Sequence, residues 1–295
     1  MYSKILVPLD GSALSEGVLP YVRLLARSIH AHVELFRVND PVQSRAYVPA
    51  AQVGEYLEKI AASFSGTTNL KCTVELGTPA DMIVDRAAAE PDSLIAMATH
   101  GYSGARRWLL GSVSEKVLHG ASNDLLLVRP TEKDSGGEAR LTKVQVPLDG
   151  SELAEKALPT VTELAAALGL DVVLLHVLIR VLFSPPEAFL PVFGANIPNQ
   201  EELWAQASSE ANQYLTNKVE QLRAQGLPRV LSVLIEGTAE GAAAVIVDLA
   251  EESPDDLVAL CTHGRSGIGR WLLGSVTERV VRHTTNPVLV IRPRR

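Results

Sequence analysis

Thr99-His100-Gly101 and, ten residues on, Gly111-Ser112-Val113 bracket a stretch that recurs as Thr262-His263-Gly264 and Gly274-Ser275-Val276. From Ala98 to Pro130 and from Cys261 to Pro293 the copies run at a constant offset of 163 without a gap, and 18 of 33 positions carry the same residue. The chain is therefore an internal repeat, and one architecture should serve both halves. Each copy begins where an apolar run ends, at Leu94-Ile95-Ala96-Met97 and at Leu257-Val258-Ala259-Leu260. It then passes through a glycine-rich loop and enters a helical pattern at Gly-Ser-Val.

Strand, glycine loop and helix form a phosphate-binding layout. The first four N–H groups of a helix lack internal partners, its dipole places partial positive charge there, and glycine lets backbone amides close on an anion. The loop spacing is Gly-x9-Gly-Ser in both halves, with a small residue, Ala98 or Cys261, three positions before the first glycine. Neither a GxxxxGK[ST] loop nor a GxGxxG fingerprint occurs in the chain.

Outward from this stretch, Lys4 to Asp10 and Lys143 to Asp149 are short apolar runs that end in Val-Pro-Leu-Asp-Gly-Ser. Each half thus opens with a buried strand and a sharp turn into a helix. Pro20 and Pro159 either kink that helix or mark its true first turn. Second strands are expected at His32 to Val38 and Asp171 to Val177, then helices at Val53 to Phe64 and Leu203 to Gln225. Third strands follow at Leu70 to Leu76 and Val230 to Ile235. Thr78-Pro79-Ala80-Asp81 is a helix-start signal, and fifth strands are expected at Leu125 to Arg129 and Val288 to Arg292. This alternation gives an α/β fold with a doubly wound parallel sheet in each half.

A length of 295 residues suits two domains, placed at 1–130 and 142–295 with a polar linker at 131–141. The second half holds 24 extra residues between its aspartate and its glycine loop, an insertion at about 180–200. Its Phe183, Phe189 and Phe193 suit a cap over the cleft or against the other half. A formal net charge of −7 gives nucleic acid no electrostatic support as a partner. Two cysteines at non-equivalent positions indicate neither a disulfide framework nor a thiolate metal site. The expected location is the cytoplasm, with no signal peptide, membrane span or membrane partner, since no apolar run approaches about 18 residues.

On these motifs the sequence resembles a tandem universal stress protein, two such domains in one chain. The family's ATP-binding pattern, G-x2-G-x9-G-(S/T), is matched at Gly101, Gly111 and Ser112 and again at Gly264, Gly274 and Ser275. It departs at the first glycine, which is Ala98 in one half and Cys261 in the other. The resemblance implies a five-stranded sheet of order 3-2-1-4-5 in each domain, with Rossmann-like helices on both faces. It implies a nucleotide contact at Asp10 and Asp149 and backbone contacts to the base near Val38 and Val177. The full expected set is Pro8, Leu9, Asp10, Val38, Ala98, His100, Gly101, Gly111, Ser112, Val113 and Ser114 in the first half. In the second it is Pro147, Leu148, Asp149, Val177, Cys261, His263, Gly264, Arg265, Gly274, Ser275, Val276 and Thr277. The implied ligand is ATP, with Mg2+ as its companion and ADP or AMP as alternatives. The fifth strands are expected to meet in an intramolecular pseudo-dimer, with a homodimer as a further assembly.

Each of these residues also has a plainer reading. Ser112-Val113-Ser114-Glu115 and Ser275-Val276-Thr277-Glu278 fit capping boxes, in which serine caps the third amide and glutamate reaches back. Asp10 and Asp149 could N-cap the first helix rather than meet a ribose. His100 and His263 lack a recurring nucleophile partner and suit structural hydrogen bonds better than catalysis. Arg107 and Arg270 recur and either reach phosphate or lie on an outer face, while Trp108 and Trp271 suit core or interface anchors. Arg265, which stands where the first half has Tyr102, would favour tighter binding in the second site. Neither half offers a matched lysine with metal-binding acids near the loop, so binding is better supported than turnover. The alternatives are a slow adenine-nucleotide hydrolase and a nucleotide-free interaction scaffold.

Overall fold

A computed structural model describes residues 1–40, 50–64, 69–100, 110–130, 137–180, 200–237, 240–262 and 273–293. The first half runs β1 (Lys4–Pro8), α1 (Ala13–Glu16), α2 (Leu19–Ile29), β2 (His32–Asn39), α3 (Ala50–Ala61) and β3 (Leu70–Leu76). It continues with α4 (Pro79–Ala88), β4 (Ser93–Ala98), α5 (Ser112–Gly120) and β5 (Leu125–Val128). The second half repeats this as β6 (Lys143–Pro147), α6 (Glu152–Glu155), α7 (Leu158–Leu168), β7 (Asp171–Ile179), α8 (Gln200–Ala224) and β8 (Val230–Gly237). It ends with α9 (Ala242–Glu251), β9 (Asp256–Cys261), α10 (Ser275–His283) and β10 (Val288–Ile291).

The strands form one ten-stranded sheet, ordered β3-β2-β1-β4-β5-β10-β9-β6-β7-β8. Each half is parallel within itself and has the order 3-2-1-4-5. The halves join where β5 and β10 pair antiparallel, with Leu126 opposite Leu289 and Leu127 opposite Val288. The expected meeting of the fifth strands is therefore an intramolecular seam. It removes what would otherwise be an exposed apolar edge from each half.

Alternation along the strands divides the core into two layers. Ile5, Val7, Val33 and Leu35, with Val144, Val146, Val172 and Leu174, pack on one face beneath α2, α3, α7 and α8. Leu6, Phe36, Ile95 and Met97, with Leu175, Val258 and Leu260, pack on the other beneath α4, α5, α9 and α10. The central strands β4, β5, β9 and β10 are buried at every position, which explains their continuous apolar runs.

Pro20 and Pro159 sit in the first turns of α2 and α7, where a missing N–H costs nothing, and the short α1 and α6 precede them separately. The amphipathic helices start three residues earlier than expected, at Ala50 and Gln200. The fifth strands end one residue sooner, before Arg129 and Arg292. α2 closes at His30 in the left-handed region, φ 54°, whereas α7 closes at Gly169, φ 69°.

Candidate functional site

In each half β1 or β6 ends at the point where strand order reverses, the place at which open parallel sheets bind ligands. A cleft of about 250 Å3 opens there in the first half. It is lined by Pro8, Leu9, Asp10, Val38, Ala98, His100, Gly111, Ser112, Val113 and Ser114 together with Ser15, Phe36, Pro79, Ile83 and Met97. Its counterpart, about 270 Å3, is lined by Pro147, Leu148, Asp149, Val177, Cys261, Gly274, Ser275, Val276 and Thr277. Ala154, Leu175, Ala242, Ile246 and Leu260 complete that wall. Of the residues singled out in the sequence, Gly101, Tyr102, Arg107, Trp108, His263, Gly264, Arg265, Arg270 and Trp271 lie outside the described residues, as does most of the 180–200 insertion.

The capping-box expectation is overturned. Gly111 and Gly274, not the serines, occupy the N-cap positions of α5 and α10, and neither helix has a side-chain cap hydrogen bond. Two contacts move the helix start one residue earlier. Gly111 N donates to Thr99 O at 2.8 Å and Gly274 N to Thr262 O at 2.5 Å. The Ser114 hydroxyl donates to Ala98 O and the Thr277 hydroxyl to Cys261 O, both at 2.9 Å. Glu115 and Glu278 do not reach back but accept from Arg282 at 2.6 and 3.0 Å. Among the described residues no side chain caps the first helical amides beside the cleft, which are the donor set an anion needs. A Cβ on Gly111 would stand 3.1 Å from Thr99 O, so the close approach of loop to strand end leaves little room for one.

Opposite those amides stand Asp10 and Asp149. Neither N-caps the following helix; Ser12 and Ser151 do. The Asp10 Oδ1 accepts from Ser12 N at 2.9 Å and Ser12 Oγ at 2.6 Å, and Asp149 Oδ1 accepts from Ser151 at 3.0 and 2.6 Å. Gly11 and Gly150 make the turn at φ 82° and 81°, which pushes each aspartate out of the cap position and into the cleft wall. A carboxylate buttressed on one oxygen is a fixed acceptor for ligand hydroxyl or amino groups.

Several contributing residues were not legible in the sequence. Tyr56 donates to Glu16 Oε1 and Tyr214 to Glu155 Oε1, both at 3.0 Å, bracing α3 and α8 against the helices that follow the aspartate turns. Burial raises both phenols above their ordinary range, and the adjoining carboxylates raise them further. These pairs are far apart in sequence, and only comparison of the two halves marks them as recurrent. Phe36, Pro79, Ile83 and Met97 read as core or helix-start positions and gave no other signal. His100 Nδ1 lies 3.0 Å from the Thr99 hydroxyl. A wider cleft, about 580 Å3, lies at the other end of the strands around Lys4, Glu34 and Arg86. There the charges already satisfy one another, with Lys4 2.7 Å and Arg86 2.6 Å from Glu34. Among the described residues no group of three or more His, Cys, Asp or Glu could hold a metal ion, and no helix is long and apolar enough to cross a membrane.

The fold and its clefts define a tandemly duplicated, doubly wound α/β protein with an open switch-point site in each half. The family model for the universal stress protein family matches residues 1–129 and 141–292, and the chain belongs to that family. It is 27% identical over 98% of its length to a universal stress protein of Mycolicibacterium smegmatis, covering 97% of that relative. A universal stress protein of Methanocaldococcus jannaschii is 31% identical over 51% of this chain and 94% of its own. Among solved structures, a universal stress protein from Archaeoglobus fulgidus superposes with a TM-score of 0.67 at 20% identity, each chain covered completely. A Pseudomonas aeruginosa protein of unknown function superposes at 0.70 with 14% identity, covering 99% of this chain and 93% of its own.

Proposed function

We propose that both clefts bind adenine nucleotide, ATP being the ligand that the Gly-x9-Gly-Ser spacing suits, and that the chain is a nucleotide-dependent regulatory module of the stress response. The observation that carries this reading is the repeated pairing of an uncapped helix N-terminus with a buttressed aspartate across one cleft. The amides of Ser112 to Ser114 and of Ser275 to Thr277 would take the phosphates, and Asp10 and Asp149 the ribose. Val38 and Val177 would border the base. Divalent metal would arrive on the phosphates, since the described residues offer it no acidic cluster. We further propose that the ligand-binding units are 1–130 and 142–295, and that the chain works in the cytoplasm, where its two cysteines, neither in a disulfide, stay reduced.

The repeated sequence offers no matched lysine with metal-binding acids near the glycine loop, which favours binding over turnover. Mass spectrometry of the small molecules released on denaturing freshly purified protein tests the reading. ATP or ADP near stoichiometry with the chain is expected, and phosphate release from added ATP should match a protein-free control. A chain that carries no adenine nucleotide and acquires none from millimolar ATP would point to the scaffold alternative instead. Sustained phosphate release that disappears when Gly111 and Gly274 are replaced would point to the hydrolase.

A further inference from the structure

The repeat ends in Arg129-Pro130 and Arg292-Pro293, a motif to which the clefts give no role. Both arginines leave the ends of the seam strands and cross to the other half. The Arg292 guanidinium donates to Leu118 O, in the last turn of α5, and Arg129 donates to Arg282 O, in the last turn of α10. These carbonyls are among the four that every helix leaves without an internal partner, and they form the negative end of its dipole. Arg292 is buried, and burial draws its pKa down to about 10 against the opposing pull of Asp124, so it remains a cation at neutral pH. Arg282 adds a third crossing, from α10 to Glu115 on α5 at 2.6 Å.

The N-termini of these same two helices form the anion-facing walls of the clefts. Each helix therefore has its positive end in its own half's cleft and its negative end held by a cation from the opposite half. The geometry points to Arg129 and Arg292 as positioning residues that each set the ligand-binding helix of the half to which they do not belong. This inference rests on the nucleotide reading above. Its physical content is twofold: the guanidinium fixes where the helix end lies, and its charge completes a dipole whose other end meets phosphate.

Calorimetric titration of the full chain with ATP, in backgrounds that leave a single cleft, tests it. Arg292→Gln should weaken binding about fivefold when Asp149→Ala leaves the first-half cleft, and change it by less than about twofold when Asp10→Ala leaves the second. Arg129→Gln should show the reverse. Arg292→Lys and Arg129→Lys keep a cation at the helix end, protect the fold where the glutamine variants do not, and should retain most of the affinity. Losses confined to each arginine's own half, equal losses in both clefts, or lysine variants as weak as the glutamine ones would overturn the inference. A parent chain that binds no ATP at all would instead overturn the nucleotide reading, and this inference with it.

Discussion

At Gly111 a single Cβ would stand 3.1 Å from the Thr99 carbonyl, closer than such contacts ordinarily come. Replacing Gly111 or Gly274 by valine should push the loop away from the strand end and weaken ATP binding by tenfold or more, while far-ultraviolet circular dichroism stays unchanged. His30 presents the opposite case, an ordinary residue held at φ 54° where the second half uses Gly169. A side chain in the left-handed region costs roughly 1 kcal/mol, so His30→Gly should raise stability by about that much in urea unfolding. Two of the plainer local readings fail here, for identifiable reasons. Ser-x-x-Glu fits a capping box in spacing, but hydrogen bonds from Ser114 and Thr277 to the preceding strand start the helix one residue earlier. Glu115 is then drawn to Arg282, a partner 167 residues away that no local pattern reveals. Asp-Gly-Ser likewise allows either polar residue to cap, and the left-handed glycine between them hands the role to serine.

Among the elements, β2 and β7 show what the duplication has allowed to diverge. Glu34 in β2 is buried and accepts from Thr73 of β3 and from Arg86 of α4, beside Lys4 of β1. By sequence offset and strand register the second half has Val173, Val233 and Leu249 where the first has Glu34, Thr73 and Arg86. The same strand order forms in both halves, so the ion network is not needed for the fold. Burial raises the Glu34 pKa, but hydrogen bonds from Arg86, Lys4 and Thr73 outweigh it and bring it to about 2. A carboxylate with a depressed folded-state pKa stabilises above its unfolded pKa, and that contribution is lost as pH falls through its folded pKa. Stability should therefore decline between about pH 4.5 and pH 2 by an amount on the order of 3 kcal/mol, and this component should vanish in Glu34→Gln. Glu34→Val alone should cost about 3 to 5 kcal/mol by stranding its cations, whereas Glu34→Val with Thr73→Val and Arg86→Leu should be close to neutral. Thermal unfolding of the single and triple variants distinguishes these outcomes.

For the whole molecule, the buried parallel strands were plain in the sequence because continuous apolar runs of four to six residues, spaced by helical patterns, admit few other folds. The strand order was not, since periodicity says nothing about which strands are neighbours; it came from the family resemblance carried by the glycine loop. The seam shows how the two kinds of information meet. Leu125, Leu126 and Leu127 form a fully buried strand only because Val288, Leu289 and Val290 lie alongside. A first half expressed alone, residues 1–130, would present that edge to solvent and should self-associate in sedimentation analysis, with Leu126→Lys restoring the monomer. A first half that stays monomeric without the substitution would show that the edge needs no partner.

Pairing two such halves places one aspartate and one helix N-terminus with a glycine N-cap in each of two clefts, and both clefts should take nucleotide. Calorimetric titration of the full chain with ATP, repeated on Asp10→Ala, Asp149→Ala and the double variant, tests it most directly. Binding at two sites is expected, one lost with each single substitution and both with the double. Undiminished ATP binding in a folded double variant, or none in the parent chain, would contradict it.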